Sequence, residues 1–257
     1  MSIIRVQSVI EKYRELAKSE SLHALSGRAD RSDITAFISD YIYANLSIND
    51  GESLVDIGCG DGTFLSKFID RNVNAIGILP TNEEVLRVQE KFSRIEHINI
   101  IKGQTSCTGL HSESIDKVVC NGVFIVLTSE DEVKESLQEI TRIAKPGAEI
   151  YIGELAFKNE MEGKNYGNSI LGWLVWVLRH QGAKAFIKRF NEVVKAVFTK
   201  EPFIIADKKH FYVREDIFIK WAIACGLEIV KHQKSKTLIN SQICDSDSRY
   251  DYVFRKL

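Results

Sequence analysis

This chain of 257 residues has few prolines, no closely spaced cysteine pair and almost no excess of one charge. Its 5 cysteines are scattered, and none belongs to a C-x-x-C pair or a cluster with histidine. An odd number of cysteines without metal-ligand spacing is typical of reduced intracellular thiols. We therefore expect neither a disulfide framework nor a bound metal. With only 3 prolines and 16 glycines, the composition also excludes collagen-like and proline-rich chains.

Long apolar runs and targeting signals are missing as well. The longest apolar run, Ile170 to Leu178, is far shorter than the roughly 20 residues that a membrane-spanning helix needs. The N-terminal segment MSIIRVQSVIEKYRELAKSE is charged every few positions and lacks the apolar core of a signal peptide. These absences predict a soluble, cytoplasmic protein without a membrane partner.

The charge is nearly balanced, with 34 basic and 35 acidic residues and a formal net charge of -1. A protein that coats nucleic acid carries a clear excess of basic residues. The balance therefore argues against a nucleic-acid partner and favours a small molecule. At 44% hydrophobic and 27% charged residues, the chain resembles an ordinary globular protein, long enough for one large domain with an inserted cap.

Short apolar runs alternate with amphipathic stretches between Ser53 and Glu154. Strands are predicted at 53–57, 73–78, 98–101, 116–120 and 149–154, and helices near 62–70, 82–92 and 130–144. This alternation is typical of an α/β fold with a doubly wound, mostly parallel sheet, which binds ligands at the carboxyl ends of its strands. A helix near 214–225 and two strands at 227–233 and 249–256, joined by a polar loop, are expected to add an antiparallel C-terminal pair.

Two regions interrupt the alternation. Residues 1–50 carry apolar residues at helical spacing, starting with Ile4 and Val6, and predict an N-terminal helical lid. Residues 155–213 are a helical, aromatic-rich insertion that we expect to cap the binding site. The predicted division is thus a lid (1–50), a ligand-binding core (51–154), the cap insertion (155–213) and a C-terminal helix and strand pair that complete the core (214–257).

The strongest local signal is the loop Asp56-Ile57-Gly58-Cys59-Gly60-Asp61-Gly62, between a predicted strand and a predicted helix. Glycines at alternate positions let the backbone approach a ligand closely, and a helix N-terminus offers free N–H groups. Asp56, at the strand end, can accept hydrogen bonds from the loop or from a cationic ligand. A dinucleotide fingerprint has the spacing G-x-G-x-x-G. The different spacing here disfavours a nicotinamide-dependent oxidoreductase.

With an acidic residue ahead of its glycines, the loop resembles motif I of the class I S-adenosylmethionine-dependent methyltransferases. Residues 116–121 are similar to the family's fourth strand, and residues 143–150, containing Lys145-Pro146-Gly147, to the approach to its fifth. The resemblance extends over about Ser53 to Glu154. It implies a Rossmann-like fold, S-adenosylmethionine as cofactor and S-adenosylhomocysteine as product.

The resemblance also implies which side chains contact the cofactor. The glycine loop would pack against the methionine portion, with Asp56 orienting the amino group. Asn121 would line the methyl-donor end, and Gln104 and Thr105 would meet the adenine, where the family usually has an aspartate. Together with Leu79, which occupies the position of a further family ligand, the implied set is Asp56, Gly58, Cys59, Gly60, Gly62, Leu79, Gln104, Thr105 and Asn121.

Leu79 departs from the family pattern at the end of the core's second strand. The usual residue there is acidic and holds both ribose hydroxyls, whereas leucine cannot accept these hydrogen bonds. Thr81, Asn82 or Glu83 is close enough in sequence to replace it. The alternative is that Glu83 and Glu84 only open a helix and complement its dipole.

Methyl transfer from a sulfonium is a direct displacement, so an acceptor pocket is expected rather than a catalytic triad. His210 and Tyr212, at the end of the insertion, are the predicted acceptor-side groups. Tyr13 and Arg28 are expected to close the lid from the N-terminal segment.

The insertion offers further candidates. Basic stretches at 179–189 and 208–210 are typical of solvated faces, or of a site for a phosphate or carboxylate on the acceptor. The apolar run 170–178 is typical of a buried cap helix or of a homodimer interface.

The sequence therefore predicts an enzyme, a methyltransferase acting on an N or O atom of a small polar acceptor. A sugar of a surface polysaccharide and a phosphorylated amine are two such acceptors. The alternative, motivated by Leu79, is a catalytically silent protein that keeps the methyltransferase fold as a binding scaffold.

Overall fold

A seven-stranded sheet forms the centre of the computed structural model, which describes residues 3–6, 8–19, 21–28, 31–158, 170–198, 203–206, 211–239 and 241–257. In chain order the strands are β1 (Ile3–Val6), β2 (Ser53–Ile57), β3 (Asn74–Leu79), β4 (Ile98–Lys102), β5 (Ile115–Asn121), β6 (Ala144–Leu155), β7 (Phe203–Ala206), β8 (Leu227–Ile239) and β9 (Gln242–Lys256). The helices are α1 (Val9–Leu16), α2 (Ser32–Asn45), α3 (Asn82–Lys91), α4 (Glu130–Ile143), α5 (Ile170–Phe198) and α6 (Glu215–Ala224). Short 3-10 turns cover Leu22–Ser26, Leu65–Phe68 and Phe124–Val126.

The strands of the large sheet are ordered β4-β3-β2-β5-β6-β9-β8. β2 pairs in parallel with β3 and β5, so that Val55 lies beside both Ile76 and Val118. β4 and β6 extend the parallel part, and β9 runs antiparallel between β6 and β8. The predicted fold class, a mostly parallel doubly wound sheet with an antiparallel C-terminal pair, is confirmed.

The order of the strands determines where a ligand can bind. From β2 the chain moves outward through β3 and β4, and it then crosses back to place β5 on the other side of β2. At such a switch point the connections leave in opposite directions, and a crevice opens at the carboxyl ends of the strands. The glycine loop follows β2 and therefore lies at this crevice.

Apolar side chains cover both faces of the sheet. Val55 belongs to a cluster with Leu137 of α4 and Phe218 of α6, while its neighbour Leu54 belongs to a second cluster with Phe68. Successive residues of a strand point to opposite faces, so both layers of the core depend on this one central strand. Each such side chain, when fully buried, contributes about 1.5–3 kcal/mol.

Two core helices begin where capping residues predict. The Thr81 Oγ1 accepts from the Glu84 backbone N–H at 3.3 Å ahead of α3, and the Ser129 Oγ accepts from the Glu132 N–H at 3.2 Å ahead of α4. The prediction of a helix over 62–70 is wrong, because only the turn Leu65–Phe68 forms there. Gly62 has a left-handed φ of 72°, which an α-helix does not contain.

The apolar spacing of the N-terminal segment predicts helix throughout, but the structure has a strand at its start. Ile3–Val6 forms β1, which pairs in parallel with β7 in a separate two-stranded sheet. The helix α1 begins only after Ser8, whose hydroxyl oxygen accepts from the Glu11 N–H at 3.1 Å. The β-branched residues at the start of the chain favour a strand once a partner strand is available.

The closing hairpin is longer than predicted. The prediction ends β8 near residue 233 and begins β9 near residue 249. In the structure β8 continues to Ile239 and β9 begins at Gln242, and these two residues are paired. Most of the predicted polar loop is therefore strand. In this stretch the Leu238 carbonyl oxygen accepts from the guanidinium of Arg31, the residue before α2, at 3.5 Å. Earlier on β8, the Lys231 ammonium and the Gln233 amide both donate to the Asn45 Oδ1 at the end of α2, at 2.6 and 3.1 Å.

The insertion contains α5, which is interrupted at Gly182, where φ is 82° and ψ is 175°. Leu174 and Val177 are buried, whereas Leu171 and Leu178 are exposed. The apolar run is thus buried on one side, and a homodimer through the exposed side stays a prediction. Within the described ranges, no helix has both the length and the apolar character that crossing a membrane requires.

Candidate functional site

A cavity of about 1010 Å3 lies over the carboxyl ends of the parallel strands. It is lined by the residues that follow β2, β3, β4 and β5, by the N-terminal segment and by the β8–β9 hairpin. Ligand pockets usually have volumes of about 300–1,000 Å3. This cavity therefore has room for more than one small molecule.

The glycine loop forms the floor of the cavity with Gly58, Cys59 and Gly60. Gly60 has a left-handed φ of 57°, and a Cβ there would lie 3.1 Å from the carbonyl oxygen of Leu25 in the turn above it. Gly62 does not line the cavity, because its Cβ position is occupied by the ring of Phe92 from α3, 2.6 Å away. The loop therefore contributes two glycines to the cavity and one to helix packing.

Asp56 lines the cavity at the end of β2, with 5% of its surface exposed. Burial and the nearby charge of Asp61 raise the pKa of this carboxyl to about 7. Asp61 itself accepts from the Thr63 hydroxyl at 2.7 Å and lies 2.8 Å from the His23 Nδ1. A cationic group in the cavity would relieve the repulsion between the two carboxylates.

At the end of β3, Leu79 lines the cavity with 2% of its surface exposed. The acidic group here is Glu84, which is 1% exposed, lines the same wall and accepts from the Thr81 hydroxyl at 2.6 Å. Burial raises the pKa of Glu84 to about 7, despite the hydrogen bonds from Thr81 that lower it. Glu83 instead lies outside, 3.6 Å from Arg14, with half of its side chain exposed.

The sequence contained a signal for Glu84 that the prediction missed. Thr81 and Glu84 have the spacing of a capping box, in which the acidic side chain folds back toward the capping residue. Because Thr81 is only two residues beyond the end of β3, this fold-back brings the Glu84 carboxylate to the strand end where Leu79 offers none.

Asn121, the last residue of β5, lines the cavity, and its Oδ1 is buried without a hydrogen-bond partner among the described residues. Gly153 leaves room for it, since a Cβ there would overlap this oxygen. Buried acceptors are normally satisfied, so this oxygen is available to a donor in the cavity, from a ligand or from water. Gln104 and Thr105, after β4, also line the cavity, as expected for contacts with a ligand.

The N-terminal segment covers the opening. Tyr13 and Arg28, the two expected lid residues, both line the cavity. The Arg28 guanidinium donates to the Glu154 Oε1 at 2.6 Å, and the His23 contact with Asp61 joins the turn Leu22–Ser26 to the glycine loop. The segment is thus connected to the strand ends at two separate points.

A family model described as a methyltransferase domain matches residues 55–152, the segment that contains the glycine loop and the ends of β3, β4 and β5. This segment is a class I, S-adenosylmethionine-dependent methyltransferase domain.

Relatives of the methyltransferase domain are distant. An uncharacterized methyltransferase of Schizosaccharomyces pombe is 26% identical over 120 residues, which are 47% of this chain and 45% of the relative. The chain covers less than half of the length of the curated relatives that it matches.

Solved structures share the fold across nearly the whole chain. The N-methyltransferase NodS from Bradyrhizobium japonicum, in complex with S-adenosylhomocysteine, has a TM-score of 0.59 at 12% identity, covering 96% of this chain and 97% of its own. The 4+2 cyclase SpnF has a TM-score of 0.63 at 11% identity, covering 99% of this chain and 98% of its own. At these identities the similarity concerns the fold.

The residues predicted on the acceptor side are not found in the described part of the cavity wall, unlike most of those predicted on the cofactor side. His210 lies outside the described residues. Tyr212 is half-buried and is not among the residues that line the cavity. No described residue from 156 to 213 lines the cavity, and the wall opposite the methyltransferase domain comes instead from α2 and the β8–β9 hairpin. The role of Tyr212 stays a prediction, and the expected wall from the insertion is not found among the described residues.

Three charged residues meet at this side of the cavity, and of these the sequence analysis had singled out Arg28 but not Glu154 or Arg249. Glu154, at the end of β6, accepts from Arg28 and, through its Oε2, from the Arg249 guanidinium at 2.8 Å. Burial would raise the pKa of Glu154, but the charges and hydrogen bonds of the two arginines outweigh it and hold the pKa below its ordinary value. Among the described residues there is no group of three or more metal-ligating side chains.

Proposed function

We propose that the chain transfers the methyl group of S-adenosylmethionine to an N or O atom of a small polar acceptor held in the same cavity. What carries the proposal is one cavity of about 1010 Å3 lined both by the glycine loop and by polar residues of the lid and the hairpin. The methyltransferase domain supplies the first wall, and the second lies outside it.

The buried polar groups of the cavity wall fit the cofactor. Asp56 would accept from the amino group of its methionine portion, and the unpaired Asn121 Oδ1 would accept a further donor nearby. Glu84 would hold the ribose hydroxyls in place of the family's acidic residue, and Gln104 and Thr105 would meet the adenine. When bound, the cofactor supplies a methyl group on a sulfonium, which an aligned acceptor atom displaces without a covalent enzyme intermediate.

The chain's own contribution would be alignment and exclusion of water. Holding two reactants in line can supply roughly 7–11 kcal/mol of the barrier. Residues 1–50 would act as the lid, since Tyr13 and Arg28 line the cavity and Arg28 donates to Glu154. A sugar of a surface polysaccharide and a phosphorylated amine are acceptors of the proposed class, and a small molecule rather than nucleic acid is the proposed partner.

Calorimetric titration with S-adenosylhomocysteine tests the cofactor half of the proposal. Micromolar or tighter binding is the expected result, and absence of binding to folded protein would overturn it. Transfer of a labelled methyl group to a panel of small sugars and phosphorylated amines then tests the reaction.

The rival function is a scaffold that binds the cofactor, or nothing, without transferring a methyl group. Leu79 motivates it, and the cyclase SpnF illustrates that a protein of this fold is not always described as a methyltransferase. Tight binding of S-adenosylhomocysteine together with no transfer to any acceptor would favour this alternative.

A further inference from the structure

Charged side chains of opposite sign line the two ends of the cavity. At the glycine-loop end lie the carboxyls of Asp56, Asp61 and Glu84, which we call the acidic end. All three lie near the buried Cys59 thiol. Burial has the largest effect in raising the pKa of this thiol, and the charges of the three carboxyls raise it further. At the hairpin end lie Arg28, Arg31, Lys236 and Arg249 with the single carboxylate of Glu154, which we call the basic end.

Three members of the basic end are joined by hydrogen bonds, since Arg28 and Arg249 donate to the two oxygens of Glu154, at 2.6 and 2.8 Å. Behind Glu154, the Asp251 Oδ1 accepts from the Glu154 N–H at 2.9 Å and from the Ser235 hydroxyl at 2.6 Å. The other two cations lie at the hairpin: Lys236 follows Ser235 on β8, and the Arg31 guanidinium donates to the Leu238 carbonyl oxygen of the same strand at 3.5 Å.

The cations of the basic end are not equally neutralised. Arg31 pairs with Asp33 at 2.9 Å, and Lys236 pairs with Asp245. Arg28 and Arg249 share one carboxylate of the wall, that of Glu154, and the Asp251 carboxyl behind Glu154 forms no ion pair with either arginine among the described residues. A guanidinium has five N–H donors, so neither arginine is saturated by the one hydrogen bond to Glu154 described for it.

Glu154 is held beside the expected methyl-donor end. A Cβ at Gly122, the residue after Asn121, would lie 3.1 Å from the Glu154 Oε2. Glu154 itself has a left-handed φ of 54°, unusual for a residue other than glycine, at the bulge in the pairing of β6 with β9. A molecule bound by Arg28 and Arg249 would therefore lie next to the part of the cavity assigned to the reacting methyl group.

Hydroxyl groups also line the cavity on α2 and the hairpin. Those of Thr35, Ser39 and Ser235 already donate to carbonyl or carboxylate oxygens, whereas those of Thr237 and Ser246 donate to no described residue. Guanidinium groups bind phosphate and carboxylate through paired N–H donors, and a free hydroxyl adds a neutral donor to such an anion. The two further charged residues of the wall, Lys12 of α1 and Glu132 of α4, contribute one charge of each sign.

We propose that the basic end is the acceptor subsite and that it selects a small acceptor carrying an oxyanion, a phosphate or a carboxylate, bound by Arg249 and Arg28. This inference rests on the proposed methyl transfer for the word acceptor, but oxyanion binding can be tested without it. The acidic end faces the sulfonium and the amino group of the cofactor. The cofactor also carries a carboxylate, so the oxyanion of the acceptor is assigned to the arginine N–H donors that this carboxylate leaves open, which is why oxyanion binding is tested in the presence of S-adenosylhomocysteine. Opposite charge at the two ends thereby orders the two substrates in one cavity.

Calorimetric titration of inorganic phosphate, and separately of sodium acetate, into protein saturated with S-adenosylhomocysteine at low ionic strength tests this proposal. Saturable binding of one or both anions is expected, with glycerol as the neutral control. Arg249→Gln should weaken this binding by about fivefold or more, because it removes a charged, forked donor. The matched control is Arg214→Gln, which alters an exposed arginine paired with Asp216 at 3.0 Å and absent from the cavity wall.

A second variant guards against a purely structural effect. Glu154→Gln removes the carboxylate that competes for both arginines, so it should strengthen anion binding, by about threefold or more. Phosphate should also raise the melting temperature of Glu154→Gln more than that of the unaltered protein. A structural role for Glu154 alone predicts weaker or unchanged anion binding.

The outcomes separate this inference from the proposed function. Loss of anion binding in Arg249→Gln with unchanged affinity for S-adenosylhomocysteine supports an oxyanion subsite. The oxyanion subsite is overturned if phosphate and acetate bind neither the unaltered protein nor Arg249→Gln. It is also overturned if they bind both proteins equally tightly, even when S-adenosylhomocysteine binds. If S-adenosylhomocysteine fails to bind, the proposed function fails, and the same titrations in ligand-free protein still decide whether the oxyanion site exists.

Discussion

The two ends of the cavity differ in charge and in how the chain builds them. The acidic end is made of residues close in sequence, since Asp56, Asp61 and Glu84 lie within one strand–loop–strand–helix unit. The basic end joins Arg28, Glu154 and Arg249, whose contacts span 126 and 95 residues along the chain. A widely shared domain thus supplies one end, and parts of the chain outside residues 55–152 supply the other.

The difference indicates how one fold can serve many acceptors. The strand ends proposed to hold the cofactor belong to the buried, parallel part of the sheet. The lid covers these strand ends and the β8–β9 hairpin forms one edge of the sheet, so their exposed side chains can vary while the parallel core stays the same. We therefore expect substitutions at the acidic end to change cofactor affinity and substitutions at the basic end to change acceptor affinity.

The largest effect is expected for Gly60→Val at the acidic end. Valine is strained at the φ of 57° found there, and its side chain would meet the Leu25 carbonyl oxygen 3.1 Å from the Cβ position. Strain of this kind costs about 1–2 kcal/mol even before the lid is displaced. Together we expect a loss of at least about 100-fold in affinity for S-adenosylhomocysteine by calorimetry.

Gly109→Val is the matched control for this change. Gly109 also has a left-handed φ, of 77°, but nothing lies within 4 Å of its Cβ position. It should lose folding stability without losing affinity. Equal losses of affinity in the two variants would mean that backbone strain, and not the contact between lid and loop, explains the effect of Gly60→Val.

A smaller effect, roughly tenfold weaker binding of S-adenosylhomocysteine, is expected for Glu84→Gln, because a charge-assisted hydrogen bond is replaced by a neutral one. Adding Leu79→Asp to this variant should restore part of the affinity, since it returns a carboxylate to the end of β3. Leu79→Asp alone should change the affinity for S-adenosylhomocysteine little, because the Glu84 carboxyl already lines that wall. An unchanged affinity in Glu84→Gln would contradict the proposed ribose role.

The smallest effect is the dependence of cofactor affinity on pH. Asp56 and Glu84 each have a pKa of about 7 in the ligand-free protein, the first through burial and Asp61, the second through burial. If both must be charged to bind, S-adenosylhomocysteine should bind about threefold more weakly at pH 7 than at pH 8. Glu84→Gln should reduce this ratio to about twofold, because one titrating group remains.

The same two carboxyls give folding stability the opposite dependence on pH. Their pKa values are raised from 3.8 and 4.5 in the unfolded reference to about 7 in the folded protein. Their contribution to stability is therefore fully present below about pH 4 and is lost as the pH rises through 7. A melting temperature of the ligand-free protein that rises from pH 5 to pH 8, in step with these groups, would contradict the assignment.

Particular elements show how far the sequence alone could reach. The bounds of β2 agree with the prediction, and α3 and α4 start one residue after their capping residues, because strand burial and helix capping are local properties. β1 was predicted as helix because Ile4 and Val6 suit either period, and its partner β7 lies about two hundred residues away. The length of the β8–β9 hairpin was missed because the polar stretch after residue 233 is held by strand pairing and by the hydrogen bond from Arg31 to the Leu238 carbonyl oxygen, not by an apolar pattern.

The sequence by itself determined the mostly parallel sheet, the strand–glycine-loop unit and the position of Asp56, since each depends on residues that are neighbours along the chain. Only the tertiary structure decided that Gly62 packs against Phe92, that the hairpin rather than the described part of the insertion lines the cavity, and that Arg28 and Arg249 meet at Glu154. Contacts of this second kind require distant segments to pack on the sheet. Their loop-closure entropy is offset only by burial of the whole core, which no local pattern records.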